Sequence, residues 1–270
     1  MIKKKHSLKK ILLSLLIAVI LIGGIAAAFV AYLLPWKNVY ATVNGTKVYN
    51  YRMSYEMLEF AQKFNVSPTA FVTDDPHSNA ARQMVTENAR NETMYTRLLY
   101  LMGVKDGFTA TQDEVDNAIA SFKKTITPSS GQTLEQAYND ELSARGLTEK
   151  DYVDLLKENI IAQKEKDKLT ANVTITDKEL KSYFDDWGFG YDPKNPDRQA
   201  VYAKNIEQIK KDALLNKKND YIASYERQLL ADNMSGISFD NPYKKFMRWW
   251  YGSFLGETIP DQYKPETSMG

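Results

Sequence analysis

The sequence predicts a mainly α-helical protein: an N-terminal transmembrane helix, then a helical domain with a small β pairing between a first strand at about 40–49 and a C-terminal strand at about 235–239. Three observations predict it. Ile11 to Trp36 runs 26 residues without a charge. Four Thr-x-x-Glu, Thr-x-x-Gln or Thr-x-x-Asp boxes, each able to cap a helix start, stand at the head of successive apolar stripes. Alternating residues flank an Asn-Gly pair at the start of the body, and two lone strands in a helical domain satisfy their backbone groups by pairing with each other.

The uncharged run exceeds the roughly 20 apolar residues that cross a bilayer core of about 30 Å. It follows Lys3, Lys4, Lys5, Lys9 and Lys10, and no acid occurs before Glu56. The positive-inside rule keeps those lysines cytoplasmic and places everything after Trp36 on the other side, with Tyr32 and Trp36 at the interface. Ala26, Ala27 and Ala28 would suit a signal peptidase, but the apolar run continues through Leu34, which a cleavable signal does not need. The expected layout is a basic tail at 1–10, a signal-anchor at 11–36, an exported body at 37–242 and an aromatic, basic tail at 243–270.

Hydrophobic residues make up 43% and charged residues 26% of the chain, enough for a packed core. Setting aside the five N-terminal lysines leaves 30 Lys+Arg against 34 Asp+Glu, so the body gives nucleic acid no electrostatic hold. Cysteine is absent, which excludes disulfides, thiolate metal sites and cysteine nucleophiles.

The elements of the body follow in order. Tyr40–Val43 and Lys47–Tyr49 read as a hairpin around Asn44-Gly45. Tyr51 to Phe64 reads as a helix burying Tyr51, Tyr55 and Leu58, with Met53 and Met57 beside them. After a proline-bounded loop, Asn79 to Met102 forms a long helix stopped by the segment Gly103 to Gly107. Thr111 with Glu114 opens a helix striped by Val115, Ala118, Ile119, Phe122 and Ile126. Thr133 with Gln136 opens the next, carrying Leu134, Ala137, Tyr138 and Leu142 and ending at Gly146. Thr148 with Asp151 opens a longer one whose face holds Tyr152, Leu155, Leu156, Asn159, Ile160 and Gln163. Thr176 with Glu179 precedes Leu180, Tyr183, Phe184 and Trp187. A last helix runs from about Asp197 to Asp232, with one stripe at Tyr202, Ile206, Ile209 and Ala213 and another at Ile222, Tyr225 and Leu229.

Reactive constellations are scarce. His6 lies in the cytoplasmic tail and His77 in a proline-bounded loop of the body, so no histidine pair serves a triad or a zinc site. Asp74-Asp75 and Asp185-Asp186 are adjacent carboxylates whose side chains diverge, and 185–197 departs from the calcium-loop pattern. No catalytic residue, cofactor or metal is expected. Apolar, adaptable surface remains, and Met53, Met57, Met84, Met94, Tyr95 and Met102 are candidates for gripping unfolded segments, with core packing as their other reading. In the tail, Phe246, Trp249, Trp250 and Phe254 suit a membrane interface or a partner surface, or fold back on the domain.

The order of these signals resembles the chaperone domain of the SurA, PrsA and PpiD group of exported foldases. Ala41 to Val48 (A-T-V-N-G-T-K-V) is similar to that family's opening strand, and Leu98 to Val115 to its helix, glycine break and T-x-D-E-V restart. Gly146 to Leu156 and Val173 to Phe184 are similar to its later helices. The resemblance implies a membrane-anchored extracytoplasmic chaperone. Its implied partners are unfolded or nascent exported polypeptides and, with them, the translocation machinery. A non-catalytic interaction subunit of a membrane complex is the alternative. The family's parvulin isomerase domain normally enters where this chain has only Gly188 to Pro196, too short a segment to bury a core. Prolyl isomerase activity is therefore the least favoured expectation.

Overall fold

A computed structural model describes residues 34–67, 76–187 and 198–248, with Tyr251, Ser253, 258–260 and Lys264. The basic tail, nearly all of the proposed anchor, Trp249, Trp250 and Phe254 lie outside the described residues. Among those that are described, no helix is long and apolar enough to cross a membrane. The chain divides into two compact units, one made of residues up to Met53 together with Ser235–Gly270, the other of Ser54–Met234.

The first unit is built on a three-stranded antiparallel sheet in the order β2-β1-β3. β1 (Val39–Val43) and β2 (Thr46–Tyr49) form the hairpin the Asn-Gly pair predicts. Asn44 and Gly45 both adopt positive φ, 48° and 78°, the conformation that a tight two-residue turn demands. β1 turns Val39, Ala41 and Val43 into the core. Its free edge takes β3 (Ile237–Ser238), with Thr42 opposite Ser238 and Val43 opposite Ile237. The expected pairing between the two ends of the chain is thus present, although β3 is shorter than the sequence suggests. Beyond it, α8 (Pro242–Arg248) packs beside the 3-10 turn Leu34–Trp36. α1 (Asn50–Lys63) leaves β2 and runs across the boundary into the second unit.

The second unit is helical. α2 (Pro76–Lys105) and α5 (Glu149–Leu169) lie along one another, and α7 (Arg198–Asn233) packs on α2. Their shared core is Tyr95, Leu99 and Ala162, closed by Ile222, Tyr225, Leu229 and Leu230. α3 (Gln112–Thr125) and α4 (Leu134–Ala144) pack on α5 through the rings of Phe122, Tyr138 and Tyr152. α6 (Asp177–Trp187) packs on the first half of α7, where Leu180 and Phe184 meet Ile209 and Ala213.

All four capping boxes form as the sequence predicts. Thr111, Thr133 and Thr148 each accept from the amide three residues on, and each donates from its own amide to the side chain of that same residue. Thr176 and Glu179 do the same, at 3.3 and 2.9 Å. These bonds need only neighbours in sequence, which is why they are legible there.

α2 ends at Lys105, within the segment Gly103 to Gly107 expected to stop it, and Gly107 follows at φ +86°. Two expectations are corrected. In α1 the enclosed residues are Arg52, Met53, Glu56 and Ala61, while Tyr51, Tyr55 and Leu58 are only half-buried. In α5 the buried face carries Ile161, Ala162 and Glu165 in place of Ile160 and Gln163. In both helices the apolar count on two sides is similar, and the neighbouring elements decide which side is covered.

Candidate functional site

α2 and α5 approach closely because Gly103 has no side chain. A Cβ there would stand 2.8 Å from Ile161 Cγ2 and 3.0 Å from the Ile161 carbonyl oxygen. α7 packs on α2 as well. The interior methionine and tyrosine of α2 are consequently core: Met94 is 0% and Tyr95 1% exposed. Met53, on α1, is buried as well. These three of the six nominated side chains offer no surface to another chain in this fold. Met84 is exposed, and Met57 and Met102 are half-buried.

Two apolar groupings reach the surface, joining the nominated Met57 and Met102 to aromatic residues that the sequence reading did not nominate. The first is a row along α1 and the residue that follows it. Met57, Phe60 and Phe64 recur at helical spacing on one side, passing from half-buried to exposed. Phe60 and Phe64 stack at 5.8 Å, and Lys63 Nζ lies 5.5 Å from the Phe60 ring. The opposite side of α1 is tied down by Glu59, which accepts from Arg145 at 2.8 Å. Arg145 also bonds Glu141 at 2.9 Å and lies 5.5 Å from the Phe122 ring, so this charge is held by both carboxylates and aromatic faces. The second grouping joins α7 to α2. Tyr221 stacks on Tyr225 at 6.4 Å, and the Tyr225 hydroxyl donates to Met102 Sδ at 3.8 Å. The i, i+3 and i, i+4 spacing of these aromatics was visible in the sequence, but the same spacing describes core stripes.

Charged groups are enclosed between the helices at two points. At the end of α2, Glu165 is 1% exposed, and one of its carboxyl oxygens finds no hydrogen-bond partner among the described residues. Burial, and then the neighbouring Asp106 carboxylate, push its pKa above the usual glutamate range, while Lys168 pulls the other way. Lys168 hydrogen-bonds Asp106 and holds the Asp106 carboxyl below its ordinary value. Nearer the middle, Glu226 on α7 is raised first by burial and then by Glu92 of α2. Lys166 of α5 sits between them, 3.8 Å from Glu92 and 5.0 Å from the Tyr95 ring. Glu165 and Glu226 thus resist ionisation through enclosure. Among the described residues no three His, Cys, Asp or Glu side chains come together to hold a metal ion.

The start of the C-terminal tail is folded. Asn241, buried, donates from Nδ2 to the Val39 carbonyl at 2.8 Å and accepts from the Lys244 amide at 2.9 Å, so one side chain ties β1 to the first turn of α8. Phe246 is half-buried in that helix. Tyr40 and Phe239 pack edge to face at 5.5 Å, and Arg248 bonds Asp240 at 2.6 Å.

A hairpin, a capped helical series and a returning strand in this order can be compared with known proteins. Foldase protein PrsA from two strains of Clostridium perfringens is similar to this chain, at 22% identity over 223 residues in each case. The match covers 82% of this chain and 61% of each relative, so the chain spans somewhat less than two thirds of the length of the curated relatives it matches. The family model described as SurA-like N-terminal domain matches residues 1–166, which takes in the hairpin and every helix from α1 through most of α5. The resemblance in the order of strand, helix and cap was sound: the chain belongs to the SurA-like N-terminal domain family.

Proposed function

We propose that this protein is a membrane-anchored, extracytoplasmic chaperone that holds unfolded or emerging exported polypeptides without catalysing a reaction on them. The observation that carries this reading is the row Met57, Phe60 and Phe64 along α1 and the residue that follows it, apolar side chains that open to the surface while the other side of the helix is fixed through Glu59 and Arg145. Adaptable thioether and aromatic side chains on a rigid support suit contact with many different apolar segments. Family membership supports the role, and the printed name of the relatives, foldase, is in keeping with it. The short segment 188–197 between α6 and α7 has no room for an inserted catalytic domain. The uncharged run Ile11 to Trp36 behind five lysines supports anchoring with the body outside the cytoplasm.

The test is suppression of aggregation of several unrelated unfolded proteins by the purified chain. Broad suppression supports a chaperone. No suppression, with one stable co-purifying partner, overturns it in favour of a fixed subunit of a membrane complex. Turnover in a proline-isomerisation assay would contradict the non-catalytic part of the proposal.

A further inference from the structure

Charge is divided between the two units in a way that the chain's net +1 conceals. Of the 35 Lys+Arg and 34 Asp+Glu, twelve and four belong to the sheet unit, leaving 23 and 30 in the helical unit. The sheet unit therefore carries +8 and the helical unit −7. Five of those twelve cations precede the uncharged run. The others include Lys37, Lys244, Lys245 and Arg248, and Asp240 is the one acid among the unit's described residues.

The fold gathers these cations at one place. α8, which bears three of them, packs beside Leu34–Trp36, the last turn of the uncharged run, and the exposed Lys37 follows that turn directly. Lys245 keeps 63% of its side-chain surface open. Lys244 reaches back over the Tyr40 ring at 5.7 Å and donates to the Phe239 carbonyl at 3.2 Å, which fixes the helix against the sheet. Cations within a few residues of the end of a spanning segment lie inside the roughly 8 Å over which surface charge is felt at physiological salt.

We propose that α8 and Lys37 form a face that docks on the anionic phospholipid headgroups of the membrane surface opposite the N-terminal lysines. This rests on the anchor reading given above. Lysine and arginine bind phosphate headgroups directly, each worth roughly fivefold in affinity near an anionic surface, and tyrosine rings tolerate the headgroup layer. Docking there would hold the sheet unit against the membrane.

The test uses the full chain in nanodiscs of phosphatidylcholine alone and of phosphatidylcholine mixed with phosphatidylglycerol, read by hydrogen exchange over residues 242–248. Exchange severalfold slower in the anionic discs, reversed by high salt and by the double variant K37Q/K245Q, is the expected result. Both substituted side chains are exposed, so the fold is retained. Equal exchange in the two discs, with the chain still resistant to carbonate extraction, overturns the lipid assignment and spares the anchor. A chain that carbonate releases sinks the anchor reading and this inference with it. Protection that depends on two copies per disc and not on lipid charge assigns the basic face to the acidic unit of a second copy, and the lipid proposal is then wrong.

Discussion

Gly103 and Ile161 set the spacing of the helical unit: the α-carbon of the one faces the side-chain methyl and carbonyl oxygen of the other with no room for a single added carbon. Gly103→Ala gains about 1 kcal/mol of helix propensity. Against this, overpacking costs about 1 to 3 kcal/mol, and one of the atoms met is backbone that cannot rotate away. A net loss of about 0 to 2 kcal/mol is expected from these two terms, and Gly103→Val should lose more. Urea unfolding with an unchanged slope and a lower midpoint checks it.

Glu165 should make stability fall as pH rises. Its folded pKa is raised by burial and by Asp106, so the folded chain holds that proton more tightly than the unfolded chain. The contribution is whole below the ordinary glutamate range and is lost as pH climbs through the raised folded value. Asp106, lowered by Lys168, acts in the opposite sense and loses its contribution as pH falls. Glu165→Gln should flatten the decline on the alkaline side and leave the acid limb in place. Thermal midpoints across pH for the two proteins decide the matter.

Glu179 gives a second, separable acid limb. Its pKa is lowered to about 2, first by the hydrogen bond from Lys217 and then by the Thr176 amide. A depressed folded value means that stability is present above the ordinary glutamate range and is lost as pH falls toward 2. Lys217→Met should narrow that loss, because the unfolded and folded values then approach each other. Its acid-unfolding profile, compared with that of the unsubstituted chain, tests the sign.

Asn241 holds two elements with one amide. Asn241→Ala leaves the Val39 carbonyl unpaired and removes the cap of α8. The expected cost is about 2 to 3 kcal/mol, combining an unsatisfied buried acceptor with a lost helix cap. Faster hydrogen exchange in 242–248, with the helical unit unchanged, is the specific signature.

Surface and core methionines and aromatics should separate in function. Phe60→Ala with Phe64→Ala removes the open part of the α1 row and should weaken aggregation suppression severalfold, with only a small change in melting temperature. Met94→Ala empties a buried site and should cost about 2 to 5 kcal/mol while leaving suppression by the still-folded fraction intact. If the phenylalanine pair has no effect on suppression, α1 is not the contact surface.

By itself the sequence determined whatever depends on near neighbours. Thr111, Thr133, Thr148 and Thr176 announce their helices because a cap is closed by a residue three positions on. Asn44-Gly45 announces its hairpin because the turn needs positive φ at both residues. Even the long-range pairing of β1 with β3 followed from the need to satisfy two short backbones. Tertiary structure decided what is covered. Met94 and Met102 lie on the same helix eight residues apart, yet the fold seals the first and leaves the second half-buried. Periodicity marks α7 with two stripes, but only the packing shows that Ile209 meets α6 while Ile222 meets the α2 and α5 core, on opposite sides of one helix. Glu165 is buried beside Lys168 of its own helix and Asp106 from just past the end of α2, a burial that its local sequence does not specify. Hydrogen bonds across three residues are written in the chain, whereas burial is a property of where distant segments come to rest.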